Sequence, residues 1–474
     1  MPKPARVSYH GRNVPIVHQA DIVVIGAGPG GFAAALQAAR MGARVVVVER
    51  LDMPGGVHTS GLQGAADGGI GGIHSELMQR FAAAGYVYTA TDRTHPGWAG
   101  NPISHYESRK KPESEFRRMS FNPEGAGSVM CGMLEEAGVT TLYGSAFVDA
   151  VVDNAGGAGT IEAVIVENAS GRQAIAGTIF IDGTGTGELV ARSGAPFVRG
   201  GGGQPAGVAW DGVERPIPGG MLWMMSGIDF QRLRRHQETA HDPVLAKVMA
   251  EAKAAGDLPD GVYRPRMEGN HVYGENYIGH PTLDMSPIAA AGTYVLWQNV
   301  PYEWALHMDD SAADDAKAKC ALRTFIDIEA RFLRKYVPGF ETAALVNVGR
   351  MIGVRDGRHP IGEHVFSLED ARAGRHFRDA VTKPLTKTFH WGGMSQHTFE
   401  VPWRCFLPKR IDNMILTGAS LSFTYDSIFM VMRNFPWCTQ TGEIAGFVAA
   451  RCIERKIGPK EYAFTEPYLF PGRV

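Results

Sequence analysis

Three glycines spaced as Gly26-x-Gly28-x-x-Gly31, with Pro29 and Gly30 among them, give the densest chemical signal in the chain. A turn of this kind lets backbone N–H groups approach a phosphate, and a helix starting there turns its positive end toward the same charge. Glu49 can accept hydrogen bonds from both hydroxyls of a ribose while repelling a 2′-phosphate, and Arg50 beside it shares that position. A second concentration lies near the C-terminus, where Arg355, Arg358, His359, His390, His397, Arg404, Tyr425 and Arg433 crowd together. A histidine can take up a proton near neutral pH, and an arginine can grip a carboxylate through two parallel N–H donors. We take His390 or His397 as the proton acceptor and Arg355 or Arg433 as the anion clamp. The remaining members read as ion pairs or satisfied histidines.

The glycines need a scaffold to act on a phosphate, and the flanking sequence supplies one. Ile22-Val23-Val24-Ile25 has the length and β-branched content of a strand buried on both faces. The alanine-rich stretch 32–41 predicts a helix, stopped by Gly42. Val45 to Val48 predicts a second buried strand, ending at Glu49. Glycine is 59 of 474 residues, so the glycine spacing alone carries little weight. Strand, turn, helix, strand and terminal acid in register together predict a dinucleotide-binding unit.

A chain of 474 residues is too long for one core and implies two domains. With 44% hydrophobic and 20% charged residues the composition is that of a soluble globular protein, and a net charge of −2 offers no footprint for nucleic acid. Five scattered cysteines without C-x-x-C spacing argue against a disulfide framework or a zinc site, so no metal is expected. No apolar run approaches the length of a membrane span, and residues 1–19 lack the apolar core of a signal peptide. The expected location is therefore cytoplasmic.

The loop Gly55-Gly56-Val57-His58-Thr59-Ser60-Gly61-Leu62, after the second strand, brings in a resemblance. Together with the preceding unit it is similar to the FAD-dependent oxidoreductases of the glutathione-reductase-like superfamily, and within them to relatives of succinate dehydrogenase and fumarate reductase flavoproteins. The resemblance continues through the strand and turn Ile179 to Glu188, the segment Gly353 to Glu363, Val401 to Pro408, and Ile411 to Gly418. It implies an α/β fold: a Rossmann-like FAD-binding domain of the glutathione-reductase type, with an inserted α+β substrate-binding domain. The boundaries it suggests are 15–199 and 348–460 for the FAD-binding domain, and 200–347 for the insertion. It further implies that Gly56, His58, Thr59, Asp182, Gly183, Gly185 and Gly418 join Gly26, Gly28, Pro29, Gly30, Gly31, Glu49 and Arg50 around the cofactor. A closing helix, from about residue 437 to 451, would aim its positive end at the flavin. One departure is Gly418-Ala419-Ser420, where many relatives have Gly-Asp.

His58-Thr59-x-x-x-Gln63-Gly64 has the spacing of the segment whose histidine is bonded to the FAD 8α-methyl in succinate dehydrogenase flavoproteins. Covalent attachment and a non-covalent loop histidine both remain open. The activity implied is that of a FAD-dependent dehydrogenase or oxidase, moving a hydride from a small organic substrate to flavin N5. Alternatives are a flavin monooxygenase, a reductase of activated alkenes, and a non-catalytic FAD or electron-transfer protein. With no second strand and G-x-G-x-x-G unit for NAD(P)H, electrons would leave to oxygen, a quinone-like carrier or a partner protein.

Overall fold

The computed structural model describes residues 6–66, 71–89, 119–199, 219–241, 245–258, 286–287, 293–299, 311–354, 357–381, 399–424, 433–465 and 467–471. The strands that matter for function are β1 (Arg12–Ile25), β2 (Val45–Val48), β3 (Thr140–Leu142), β4 (Ala146–Asp153), β5 (Thr160–Asn168), β6 (Gly171–Asp182), β7 (Gly220–Ser226), β8 (Tyr294–Asn299), β9 (Ala344–Val348) and β10 (Met414–Leu416). The helices are α1 (Pro29–Arg40), α2 (Gly72–Ala83), α3 (Pro123–Glu136), α4 (Glu188–Ser193), α5 (Phe230–Thr239), α6 (Ala246–Ala254), α7 (Ala312–Tyr336) and α8 (Phe435–Arg455).

Five strands run parallel in the order β3-β2-β1-β6-β10. Their register aligns Leu142 with Val48, Val48 with Ile25, Ile25 with Asp182, and Asp182 with Leu416. All five carboxyl ends therefore open on one edge, where ligands bind in sheets of this type. The strands are continuous apolar runs because helices cover them: Ile22, Val23, Val24 and Val47 are completely buried.

Two features extend beyond the expected unit. β1 begins ten residues before the apolar run, since its polar first half pairs with the hairpin strand Arg6–Tyr9. β6 has 12 residues and, besides β1, two further partners in succession, β5 antiparallel along its first half and β10 parallel along its last three residues.

α1 is buried all round, with Phe32 to Leu36 sealed from solvent between the sheet and α8. α8 approaches it through Gly442 and Gly446. A Cβ at Gly442 would lie 2.1 Å from the Gly30 carbonyl oxygen, and one at Gly446 2.2 Å from that of Ala34. Only residues without a side chain permit that contact, so the two glycines set the depth at which α8 rests on the start of α1.

A second core is drawn from residues 221–352. β7 pairs antiparallel with β8 on one side and β9 on the other. Its pleat sends Met221, Trp223 and Met225 into this core with Leu322, Ile326 and Leu333 of α7. Leu222 points the other way, against Leu62 of the loop after β2.

Candidate FAD-binding site

A cavity of about 320 Å³ lies at the carboxyl ends of the parallel strands. Its floor is the turn between β1 and α1. Gly26 has φ +86°, and a Cβ there would sit 2.8 Å from the Gly183 carbonyl oxygen. At Gly31 the same atom would lie 1.8 Å from the Gly26 carbonyl oxygen, so helix and turn touch backbone to backbone. Gly28, Pro29 and Gly30 line the cavity, while Gly31 supports them from beneath. The N-cap of α1 is Gly28, with no side chain to satisfy the first-turn N–H groups. A helix start left open in this way is suited to an anion.

Glu49 follows directly on β2 in the cavity wall, 6% exposed. Its Oε2 accepts the Ala27 N–H at 2.7 Å and its Oε1 the Leu51 N–H at 2.8 Å. Burial pushes this carboxyl above its ordinary value, and the two N–H donors and Arg50 oppose the shift. Arg50 also lines the cavity and pairs with Glu188 of α4 at 3.5 Å.

The loop after β2 forms a 3₁₀ turn, Gly56–His58. Gly56 and His58 line the cavity; Thr59 does not, and its hydroxyl donates to the Pro54 carbonyl at 2.6 Å to close the loop. His58 is buried, with Nδ1 3.2 Å from the Gln63 carbonyl and its ring stacked on Phe435 at 4.4 Å and 16°.

Gly183 and Gly185 expose backbone to the cavity, whereas the Asp182 side chain is turned away from it. Asp182 Oδ1 accepts from the Thr184 N–H and hydroxyl, and Oδ2 from the Val190 N–H at 3.1 Å. This carboxylate therefore fixes the turn and the start of α4, and complete burial pushes its pKa up.

The opposite wall comes from distant parts of the chain. Gly220 and Leu222 of β7 and the stretch Met351 to Val354 contribute a largely apolar surface. Thr417, Gly418, Ala419, Arg433 and Cys438 complete it. Gly418 has φ +65°, and its N–H donates to Thr441 Oγ1 of α8 at 3.1 Å. Burial pushes the Cys438 thiol up to about 12, so it is a neutral wall residue near pH 7. The N-cap of α8, Asn434, makes no side-chain capping bond.

Of the proposed chemical residues, only Arg433 falls within the described part, where it lines the cavity. Arg355, His390 and His397 lie outside the described residues, as does Tyr425. Arg404 makes a two-pronged pair with Asp379, at 2.9 and 3.0 Å, and Arg358 donates to the Thr186 carbonyl at 3.1 Å. Both are structural in these contacts. Sequence reasoning missed Ser145 to Phe147, Leu222 and Met351, which have no local signature and reach the cavity through long-range packing; Ile352 to Val354 begin a family-like segment but were not assigned to the cavity. Cys438 was readable in principle as a first-turn residue of the closing helix. No group of three or more potential metal ligands occurs among the described residues.

The sequence matches the family of FAD dependent oxidoreductases over residues 21–466. The chain belongs to that family. It is an enzyme whose cofactor is FAD, and the cavity fits that cofactor: a cradle free of side chains, an open helix start and a buried acid just after β2 all line it. A stretch of 45 residues is 53% identical to dihydrolipoyl dehydrogenase of Manduca sexta, taking in 10% of this chain and 9% of that protein. Among solved structures, a geranylgeranyl bacteriochlorophyll reductase-like protein of Thermoplasma acidophilum is 12% identical, with 93% of this chain and 80% of that one covered at a TM-score of 0.46. The p-nitrophenol 4-monooxygenase of Pseudomonas putida is 10% identical, with 94% and 82% covered at a TM-score of 0.42. In this FAD dependent oxidoreductase no helix among the described residues is long and apolar enough to cross a membrane.

Proposed function

We propose that this FAD dependent oxidoreductase is a dehydrogenase or oxidase of a small organic substrate carrying an anionic group. The observation that carries the reading is the shared cavity, with the glycine cradle and Glu49 on one side, and Leu222, Met351, Ile352, Val354 and Arg433 on the other. Bound FAD supplies an acceptor for a hydride from a C–H bond next to oxygen or carbon. The apolar wall would exclude water from that transfer, and Arg433 would hold the substrate's carboxylate by two N–H donors. The open start of α8 presents its positive end beside the same wall, where it favours negative charge. His390 or His397 would take the substrate proton, with Arg355 as a second anion contact. In this reading the FAD-binding domain is of the glutathione-reductase type, formed by 15–199 and 348–460, and 200–347 is the inserted substrate-binding part. The second core formed by residues 221–352 supports that division. Oxygen, a quinone-like carrier or a partner protein would receive the electrons.

Anaerobic mixing of the FAD-loaded protein with small hydroxy and amino carboxylates tests this reading. We expect one class to bleach the flavin without NAD(P)H, and Arg433→Leu to raise KM for it by about 10- to 100-fold. NAD(P)H consumption coupled to oxygen insertion would instead establish a monooxygenase.

A further inference from the structure

His74 lies outside the cavity wall, completely buried on α2, yet it is wired to the part of α8 that forms that wall. Its Nδ1 is 3.1 Å from the hydroxyl oxygen of Thr439. That hydroxyl also lies 2.8 Å from the Phe435 carbonyl and 3.0 Å from the Pro436 carbonyl, in the first turn of α8. Carbonyls only accept, so the single hydroxyl proton goes to them, and Thr439 must accept from His74 Nδ1–H. Nδ1 therefore carries a proton.

The rings continue the connection. His74 meets Phe435 edge-on at 5.4 Å and 87°, and the face of Phe435 stacks on His58, which lines the cavity. α2 is tied to α8 a second time one turn further on, where Glu443 accepts the Ile73 N–H at 2.7 Å. The N-cap of α2, Gly71, has no side chain of its own to offer. Contacts at Thr439 and Glu443 are four residues apart on α8, so they fall on one face and hold its first turns at a fixed rotation.

We propose that His74 is a positioning residue for the cofactor site: through Thr439 it fixes the first turn of α8, and through Phe435 the plane of the His58 ring. The proposal rests on the cavity being the FAD site. It needs no knowledge of the substrate. A side chain that only filled space could be exchanged for leucine without effect on the flavin, whereas a positioning donor could not.

The test uses the full FAD-loaded chain, with FAD affinity and the visible circular dichroism of the bound flavin as readouts. Thermal unfolding of the FAD-free protein measures structural loss separately. His74→Leu should raise the FAD dissociation constant by about tenfold and alter the flavin dichroism. His74→Asn places an N–H donor close to the Nδ1 position and should bring both signals back toward wild type. Thr439→Val should reproduce the leucine variant, and the double variant His74→Leu/Thr439→Val should be no worse than either single change. A folded leucine variant with wild-type affinity and dichroism would overturn the proposal, as would flavin changes that asparagine leaves unrescued. Should His74→Leu fail to fold, Thr439→Val decides: wild-type flavin signals in that variant refute the connection. Failure to find a substrate would count against the dehydrogenase reading and leave these flavin signals untouched.

Discussion

Glu49 uses both carboxylate oxygens on backbone N–H groups while nearly sealed from water. Burial is the larger influence, so its folded-state pKa stands above the unfolded one. The folded protein therefore holds this proton more tightly than the unfolded chain does. Stability from this group is fully present below the ordinary glutamate range and is lost as pH rises through the raised value. Glu49→Gln removes the titration, so the unfolding free energy of the FAD-free variant should fall less steeply with pH over that window. Denaturant unfolding of both proteins at a series of pH values checks it; parallel pH curves would show that burial of this carboxyl has no energetic consequence. The place of Glu49 was legible from sequence because it follows directly on a local apolar strand. The Asp182 carboxylate was not, because nothing in Ile-Asp-Gly-Thr-Gly distinguishes a carboxylate turned toward a ligand from one turned into its own turn.

Helices α1 and α8 meet backbone to backbone at Gly442 and Gly446, and the first of these contacts lies at Gly30, which lines the cavity. Gly442→Ala would place a methyl 2.1 Å from the Gly30 carbonyl oxygen, which is backbone and cannot swing aside. We expect a loss of about 1–3 kcal/mol in unfolding free energy, together with weaker FAD binding because Gly30 must move. Gly132→Ala on α3 meets nothing within 4 Å and serves as the control. Equal behaviour of the two variants would contradict a seam set by glycine. This level was partly legible: β1, α1 and β2 announce themselves by apolar runs and a glycine turn within thirty residues. α7, Ala312–Tyr336, is capped by Ser311, whose side chain accepts the Asp314 N–H. The closing helix proved longer than the 437–451 read from sequence, because Phe435 and Pro436 fit its first turn and it ends at Lys456 in a left-handed conformation, a position glycine usually marks. The antiparallel strands β4 and β5 beside β6 depend on long-range pairing that no local pattern encodes.

At the scale of the molecule, the cavity joins stretches that are far apart in the chain. Lining residues between 25 and 63 supply the cradle, those between 183 and 188 a turn, Gly220, Leu222 and 351–354 the apolar wall, and 417–419 with Arg433 and Cys438 the final side. Contacts between backbone segments already link them: the Gly349 N–H donates to the Leu222 carbonyl at 2.8 Å, the Arg350 N–H to that of Ser60 at 2.9 Å, and the Gly353 N–H to that of Gly220 at 2.7 Å. Arg350 adds an ion pair to Asp52, exposed to water and so worth little alone. A cofactor that touches all these segments binds the folded chain and has no equivalent site in the unfolded one. Mass action then requires FAD to stabilise the protein by about 2.7 kcal/mol at a free concentration of 100 times its dissociation constant. Unfolding of a domain of about 250 residues should accordingly shift upward by roughly 5 °C under those conditions. Glu49→Ala should need proportionally more FAD for the same shift, so the two proteins superimpose when concentration is expressed in multiples of each dissociation constant. A shift of the same size at equal absolute FAD concentration in wild type and variant would mean that Glu49 does not contact the nucleotide, and that the ribose lies elsewhere on the edge of the sheet.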